Sequence, residues 1–136
     1  MRDTPFSRMA MATNIKVIHP RDFLRARPDG QIDLESSKHM LSELAAASAE
    51  LEQLHVLIDI RNVTGRLGAD ELHELASALP SFGETFLSRT AVLCPRDRFD
   101  NARFFSLLAA SHGFRQLRAF LTYEDAMEWL ESPLDT

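Results

Sequence analysis

The chain has 136 residues, 45% of them hydrophobic, enough for the core of one domain and too few for two independent ones. Its 20 acidic residues outnumber 15 basic ones, and the net charge of −5 argues against a general nucleic-acid binder. The single cysteine, Cys94, excludes an intramolecular disulfide or a cysteine-built metal cluster, and no apolar run approaches the roughly 18–20 residues that span a bilayer.

The opening MRDTPFSRMAMATN lacks the apolar stretch of a secretory signal, which together with the lone cysteine fits a cytoplasmic protein. Residues 1–13 show no period and read as a tail, with the domain over 14–132 and a second tail at 133–136. Asn14 to His19 (NIKVIH) is a strand candidate closed by Pro20, and Pro20-Arg21-Asp22 reads as a turn. Phe23 to Arg27 (FLRAR) alternates apolar and basic residues, the pattern of a strand with one wet face. Pro28-Asp29-Gly30 signals a tight turn, so residues 14–33 read as a hairpin or a pair of neighbouring strands. Asp33 is placed to cap a helix, with Glu35 in the first turn where it favours the dipole. Leu34, Leu41, Leu44, Ser48 and Leu51 lie on one side of that helix, which should end near Gln53.

Leu54 to Ile60 is a short apolar run containing one acid, the pattern of a buried parallel strand. Arg61 to Gly68 is a polar, glycine-containing loop, and Ala69 to Leu79 returns to helical spacing with Leu72, Leu75, Ala76 and Leu79 on one face. Loops that follow such strands commonly carry the working residues of α/β domains. Pro80-Ser81-Phe82-Gly83 breaks the helix, and Arg89 to Cys94 is the next strand, stopped by Pro95. Asp97 or Asp100 is expected to cap a third helix over 98–112, with Phe99, Ala102, Phe105, Ala109 and His112 as its stripe and Gly113 just past its end. Phe114 to Leu121 reads as the last strand. Thr122 to Asp125 is a near capping box for a final helix that carries Ala126, Met127, Trp129 and Leu130 and stops at Ser132-Pro133. The order β-β-α-β-α-β-α-β-α predicts an α/β domain: a mostly parallel sheet of about five strands with right-handed crossovers and four main helices.

This element order, the segment VLIDIRNVTG (Val56 to Gly65) and the tail FRQLRAFLTYEDAMEWL together resemble the SpoIIAA-like, or STAS-domain, group, in the branch that shares its fold with CRAL-TRIO domains. The resemblance covers about residues 14–132 and implies strands wound as a β–α superhelix and a non-enzymatic regulatory or ligand-binding role. Signalling members of the group carry a phosphorylatable serine at the start of the helix after the central strand. Here that region reads Arg66-Leu67-Gly68-Ala69-Asp70, with no hydroxyl; Thr64 lies on the wrong side of the loop and Ser77 well inside the helix.

The candidate interaction residues follow from this arrangement. In the central loop and the helix start they are Asp59, Arg61, Asn62, Thr64, Arg66, Gly68, Ala69 and Asp70. Arg61, Arg66, Arg96, Arg98 and Arg103 fall just after the two apolar strands, or in the helix after the second, where parallel strands put them at one sheet edge. They suit an acidic partner or a phosphate-bearing ligand; the plainer alternative pairs each with Asp59, Asp97 or Asp100. Free N–H groups at Gly68 and Ala69 suit an anion, against the plainer role of Asp70 and Glu71 as stabilisers of the first helical turn. Phe104 and Phe105 cannot face the same way on a helix, so one could be partly exposed and form an apolar patch with Phe82 and Phe86, against the plainer reading of a core extended around the helix sides.

The five histidines form no ligand set, since His73-Glu74 is followed at position 77 by serine, and no serine sits in a nucleophile elbow. Cys94 reads as a buried small hydrophobe. The sequence thus predicts a non-enzymatic regulatory domain without metal or cofactor, binding a protein partner or a second copy of itself. The alternative is a small apolar or anionic ligand, a lipid or a nucleotide.

Overall fold

The structure, a computed structural model, describes residues 15–18, 23–49 and 55–133. Its frame is set by β4 (His55–Asp59), whose Val56, Leu57 and Ile58 are all buried, so that both faces of the strand require cover. Successive side chains alternate between two cores. Val56 and Ile58 enter the larger one with Leu41, Leu44, Leu72, Leu75 and Ala102; Leu57 enters the smaller with Phe23, Ala91, Leu93, Ala126 and Leu130.

In chain order the elements are β1 (Ile15–Ile18), β2 (Phe23–Ala26), β3 (Gly30–Gln31), α1 (Leu34–Ser48), β4, β5 (Val63–Thr64), α2 (Ala69–Ala78), β6 (Thr90–Leu93), α3 (Phe99–Ser111), β7 (Leu117–Phe120) and α4 (Tyr123–Glu131). Five strands form one sheet in the order β1-β2-β4-β6-β7. β1 runs antiparallel to β2, and β2, β4, β6 and β7 are parallel. Helices α1, α2 and α3 connect the parallel strands and share the larger core, whereas α4 alone contributes to the smaller one. The expected mainly parallel sheet, opening strand pair and four helices are all present.

Local details depart from the pattern-based reading for physical reasons. The face of β2 expected to be wet is only partly so: Arg25 and Arg27 are half-exposed, but Phe23 on the same side is buried because α4 covers it. α1 is capped by Asp33, whose Oδ1 accepts the Ser36 N–H at 2.7 Å. Its buried face is Ser37, Met40, Leu41 and Leu44, rotated from the expected stripe so that Leu34 and Ser48 are only half-buried. Ser37 tolerates burial because its hydroxyl donates to the Asp33 carbonyl at 2.8 Å. The loop after β4 holds a strand that hydrophobic patterning misses: β5 pairs parallel with β3 over two residues, too few to show a period of two.

Leu72, Leu75, Ala76 and Leu79 are buried as expected, but α2 tightens into a 3-10 turn over Leu79–Phe82, where Pro80 cannot donate a backbone N–H. A second 3-10 turn at Thr85–Leu87 places Phe86 fully inside the core, which removes it from any surface patch. Phe82 is half-buried and meets Phe86 edge-on at 6.1 Å. Neither Asp97 nor Asp100 caps α3. A 3-10 turn over Arg96–Arg98 leads directly into the helix, leaving Arg98 at the N-cap position without a side-chain bond and Asp100 in the first helical turn. At the other end His112 is exposed as the C-cap residue, outside the buried stripe, and Gly113 turns the chain out with φ of 94°.

β7 is shorter than the run from Phe114 to Leu121, because the Phe114 N–H still bonds the Ala109 carbonyl at 3.0 Å in the exit from α3. α4 is capped by Thr122, whose hydroxyl accepts the Asp125 N–H at 3.1 Å. Pro133, expected in the tail, holds its carbonyl 3.2 Å from Arg89 Nη2. The turn read at 20–22, Leu51, the helix end near Gln53, and the tails 1–13 and 134–136 lie outside the described residues.

Candidate functional site

Parallel pairing of β4 with β6, with Asp59 opposite Leu93, brings the loop at 60–68 and the turn at 94–98 to one edge of the sheet. Asp59, at the end of β4, is only 2% exposed. Its Oδ1 accepts the Arg61 backbone N–H at 3.1 Å and Nε at 3.0 Å, while Oδ2 accepts Arg61 Nη2 at 3.0 Å. Arg27 Nε stands 3.5 Å from the same Oδ2. Burial by itself raises the carboxyl, but the Arg61 hydrogen bonds and the charges of Arg61 and Arg27 outweigh it and hold Asp59 below the ordinary value of 3.8. Asp59 therefore works as a latch that folds the loop back on its strand, and Arg61 is occupied by that role.

Because the folded carboxyl titrates below its unfolded value, its stabilisation is complete above pH 3.8 and is lost as pH falls through the folded value. Asp59→Asn is expected to cost about 1–2 kcal/mol at neutral pH. The variant should also lose less stability on acidification than the parent, as urea melts at decreasing pH would show.

Beyond the latch the loop is stapled across to the β6–α3 turn. Arg66 Nη2 donates to the Asp97 carbonyl at 2.9 Å, Arg98 Nη1 to the Gly65 carbonyl at 3.2 Å, and Asn101 Nδ2 to the Leu67 carbonyl at 3.1 Å. On its other side Thr64 Oγ1 donates to the Gly30 carbonyl at 3.3 Å. Gly65 makes the turn at φ of 81°, and a Cβ there would lie 2.9 Å from Gln31 Nε2. Leu67 between the staples is buried, 3% exposed, and anchors the loop in the larger core. Two loops from different strands thus form one preformed surface.

At the start of α2, Gly68 is the N-cap residue and its N–H donates to Glu71 Oε1 at 2.9 Å. A carboxylate of the chain itself thereby takes one donor an incoming anion would use. Ala69 and Asp70 are exposed beside it, and Asn62 is exposed in the turn after Arg61. Among the described residues only Arg27 and Arg61 of the arginines form ion pairs; Arg66 and Arg98 bond carbonyls, and Arg96 and Arg103 are exposed without a carboxylate partner. The local pairing with Asp59, Asp97 and Asp100 is thus met only at Asp59.

On α3, Phe104 is 38% exposed and meets His73 of α2 edge-on at 5.7 Å, while Leu107, one turn further, is 67% exposed. Phe105 turns inward. His73, Asn101 and Leu107 belong to this surface although the sequence did not single them out for it. Leu107 was legible as an apolar residue off the buried stripe of α3; the reach of Asn101 across to Leu67 carries no sequence signal.

Beneath the stapled loop lies a cavity of about 80 Å³ among α1, α2, α3 and the sheet, lined chiefly by Met40, Leu41, Ile58, Leu72, Leu75 and Phe105. Cys94 is fully buried, and desolvation pushes its thiol up to about 11, so it remains an unreactive thiol at neutral pH. No group of three or more histidine, cysteine or acidic side chains is placed to hold a metal ion among the described residues, nor is any helix long and apolar enough to cross a membrane.

No protein-family profile matches the sequence, and no curated protein matches it. Solved structures do. An anti-sigma factor antagonist from Mycobacterium paratuberculosis superposes with a TM-score of 0.59 at 18% identity, covering 90% of this chain and 95% of that one. An uncharacterised DUF3478-family protein with a SpoIIAA-like fold from Shewanella loihica PV-4 superposes with a TM-score of 0.55 at 21% identity, covering 89% of this chain and 94% of that one. The chain has the SpoIIAA-like fold.

Proposed function

We propose that this domain is a non-enzymatic, cytoplasmic regulatory module that binds a protein partner through the stapled loops and the exposed side of α2 and α3. The observation that carries the reading is the set of three side-chain-to-carbonyl bonds from Arg66, Arg98 and Asn101, which fixes the two loops as one surface before any partner arrives. Phe104 and Leu107 supply apolar area next to it, and Arg66, Arg96 and Arg103 supply charge that no carboxylate within the described residues neutralises. The fold is shared with a protein described as an anti-sigma factor antagonist, which supports a role in protein–protein regulation.

The missing hydroxyl at Leu67 to Asp70 separates this chain from a phosphorylation switch at the helix start. Glu71 supplies a fixed negative group there, so the surface is constitutively set rather than gated by modification. A second copy of the chain is an admissible partner on the same surface. The cavity beneath the stapled loop, about 80 Å³, is by itself too small for a lipid or nucleotide, which takes roughly 300 Å³ or more.

Affinity capture from the source cell, with the chain as bait, tests this. A partner retained by the parent should be lost with Phe104→Asp and with Arg66→Glu, each weakening binding about thirtyfold, and kept by Glu128→Lys on the far face. Retention indifferent to Phe104 and Arg66 would place the interaction elsewhere.

A further inference from the structure

The cavity beneath Leu67 has a definite size and a definite chemistry. Its volume of about 80 Å³ equals that of roughly three waters at about 30 Å³ each, or the branched end of one leucine side chain. Met40, Leu41, Ile58, Leu72, Leu75 and Phe105 make its walls mostly apolar, which suits an apolar guest. Among the lining residues, Ile32, Ile60, Asn101 and Phe105 are half-exposed, and Leu67 and Asn101 come from the two stapled stretches. Arg66 adjoins Leu67 of the lining, and Arg98 lies three residues before Asn101 of the lining. Each arginine commits one nitrogen to a carbonyl and keeps the rest of its five N–H donors, and neither has a carboxylate partner among the described residues. Asp97 and Asp100 share the stretch without pairing to them.

We infer that the cavity is the anchor pocket of the proposed partner site: it takes one leucine-sized side chain of a partner segment whose flanking carboxylates meet Arg66 and Arg98. The inference rests on the interaction reading above and names the chemistry of the partner. A bulky apolar anchor in a desolvated pocket, ringed by polar contacts that exclude water, is the arrangement that concentrates binding energy at interfaces. Acidic flanks suit guanidinium donors held in place by their carbonyl bonds.

Methyl NMR of the full chain, titrated into the millimolar range with the peptides Ac-Glu-Leu-Glu-amide and Ac-Glu-Ala-Glu-amide, tests it. The leucine peptide should shift the Met40, Ile58, Leu72 and Leu75 methyls and bind at least about tenfold tighter than the alanine peptide. Ala102→Leu, which fills the cavity from α3 and leaves the rim unchanged, should abolish that difference, and the smaller Ala102→Val should reduce it if the leucine variant fails to fold. Arg66→Glu should weaken the leucine peptide about tenfold while the cavity methyls still respond. Equal binding of the two peptides, unmoved cavity methyls, or undiminished binding by a folded cavity-filled variant overturns the assignment. Partner capture that depends on Phe104 and Arg66 but ignores Ala102→Leu removes the anchor and leaves the interaction reading intact; capture that ignores all three removes both.

Discussion

Phe86→Ala is expected to lower the stability of the domain by about 3–5 kcal/mol. Phe86 is fully buried and heads the largest side chains that are so. It sits in the 3-10 turn of Thr85–Leu87, between α2 and β6, and packs into the larger core with Phe82 against its edge. Truncation removes the transfer free energy of the ring and leaves a hole. Backbone relaxation is limited, because the turn is held between Gly83 and β6 and Ser48 of α1 bonds Thr85 at 2.8 Å. Against a typical domain stability of about 5–15 kcal/mol this is a large fraction, and only at the low end of that range would the variant be near half-unfolding. Urea melts check it, and Phe86→Leu, which keeps most of the volume, should lose clearly less.

A loss of about 3 kcal/mol is expected for Arg89→Ala, by a different route. Arg89 is only 6% exposed, and its guanidinium closes the C-terminal end of α4. Nη1 donates to the Trp129 carbonyl and to the Ser132 carbonyl and hydroxyl, and Nη2 to the Pro133 carbonyl; the group also lies 5.4 Å from the Trp129 ring centre. Of these acceptors the Trp129 carbonyl belongs to the last turn of α4, where carbonyls lack intrahelical partners, and it also accepts the Ser132 N–H at 3.3 Å and hydroxyl at 2.9 Å. Alanine takes the charged donor from these acceptors and removes the tie between the residue that leads into β6 and α4, which among the described helices is the one packed on Leu57 and Leu93. The near neighbour His55 reports the same charge: burial first and Arg89 second hold its imidazole below the ordinary value of 6.5. Hydrogen exchange should show α4 opening ahead of the rest in the variant. Arg89→Lys, with one compact donor group, should restore only part of the loss.

Fold-level information was written plainly in the sequence. The unbroken apolar run at Val56 to Ile58 demanded cover on two sides, and the helical spacings at Leu72, Leu75 and Leu79 matched the larger core residue for residue. Asp33 and Thr122 were recognisable caps because their side chains act within their own turn. What escaped was set by neighbours distant in the chain. The β3–β5 ladder joins positions over thirty residues apart and is only two residues long. Asp97 and Asp100 were credible caps for α3 until a 3-10 turn took the place where a cap would act.

The candidate surface divides in the same way. The shared edge of the loops after β4 and β6 followed from parallel pairing, and Phe104 was singled out by the geometry of adjacent helical residues. Local charge arithmetic suggested carboxylate partners for the arginines, but at Arg66 and Arg98 backbone carbonyls across the loop junction are the partners instead. Phe86 sits in a loop with no period, so local pattern left both a surface patch and the core open to it; packing of its 3-10 turn into the larger core settles it as buried.

Hydrogen exchange of the captured complex against the free chain tests the central claim most directly. Protection confined to residues 61–75 and 96–107 is the predicted result. Protection on α4 and the strands beneath it, with those two stretches unchanged, would contradict it.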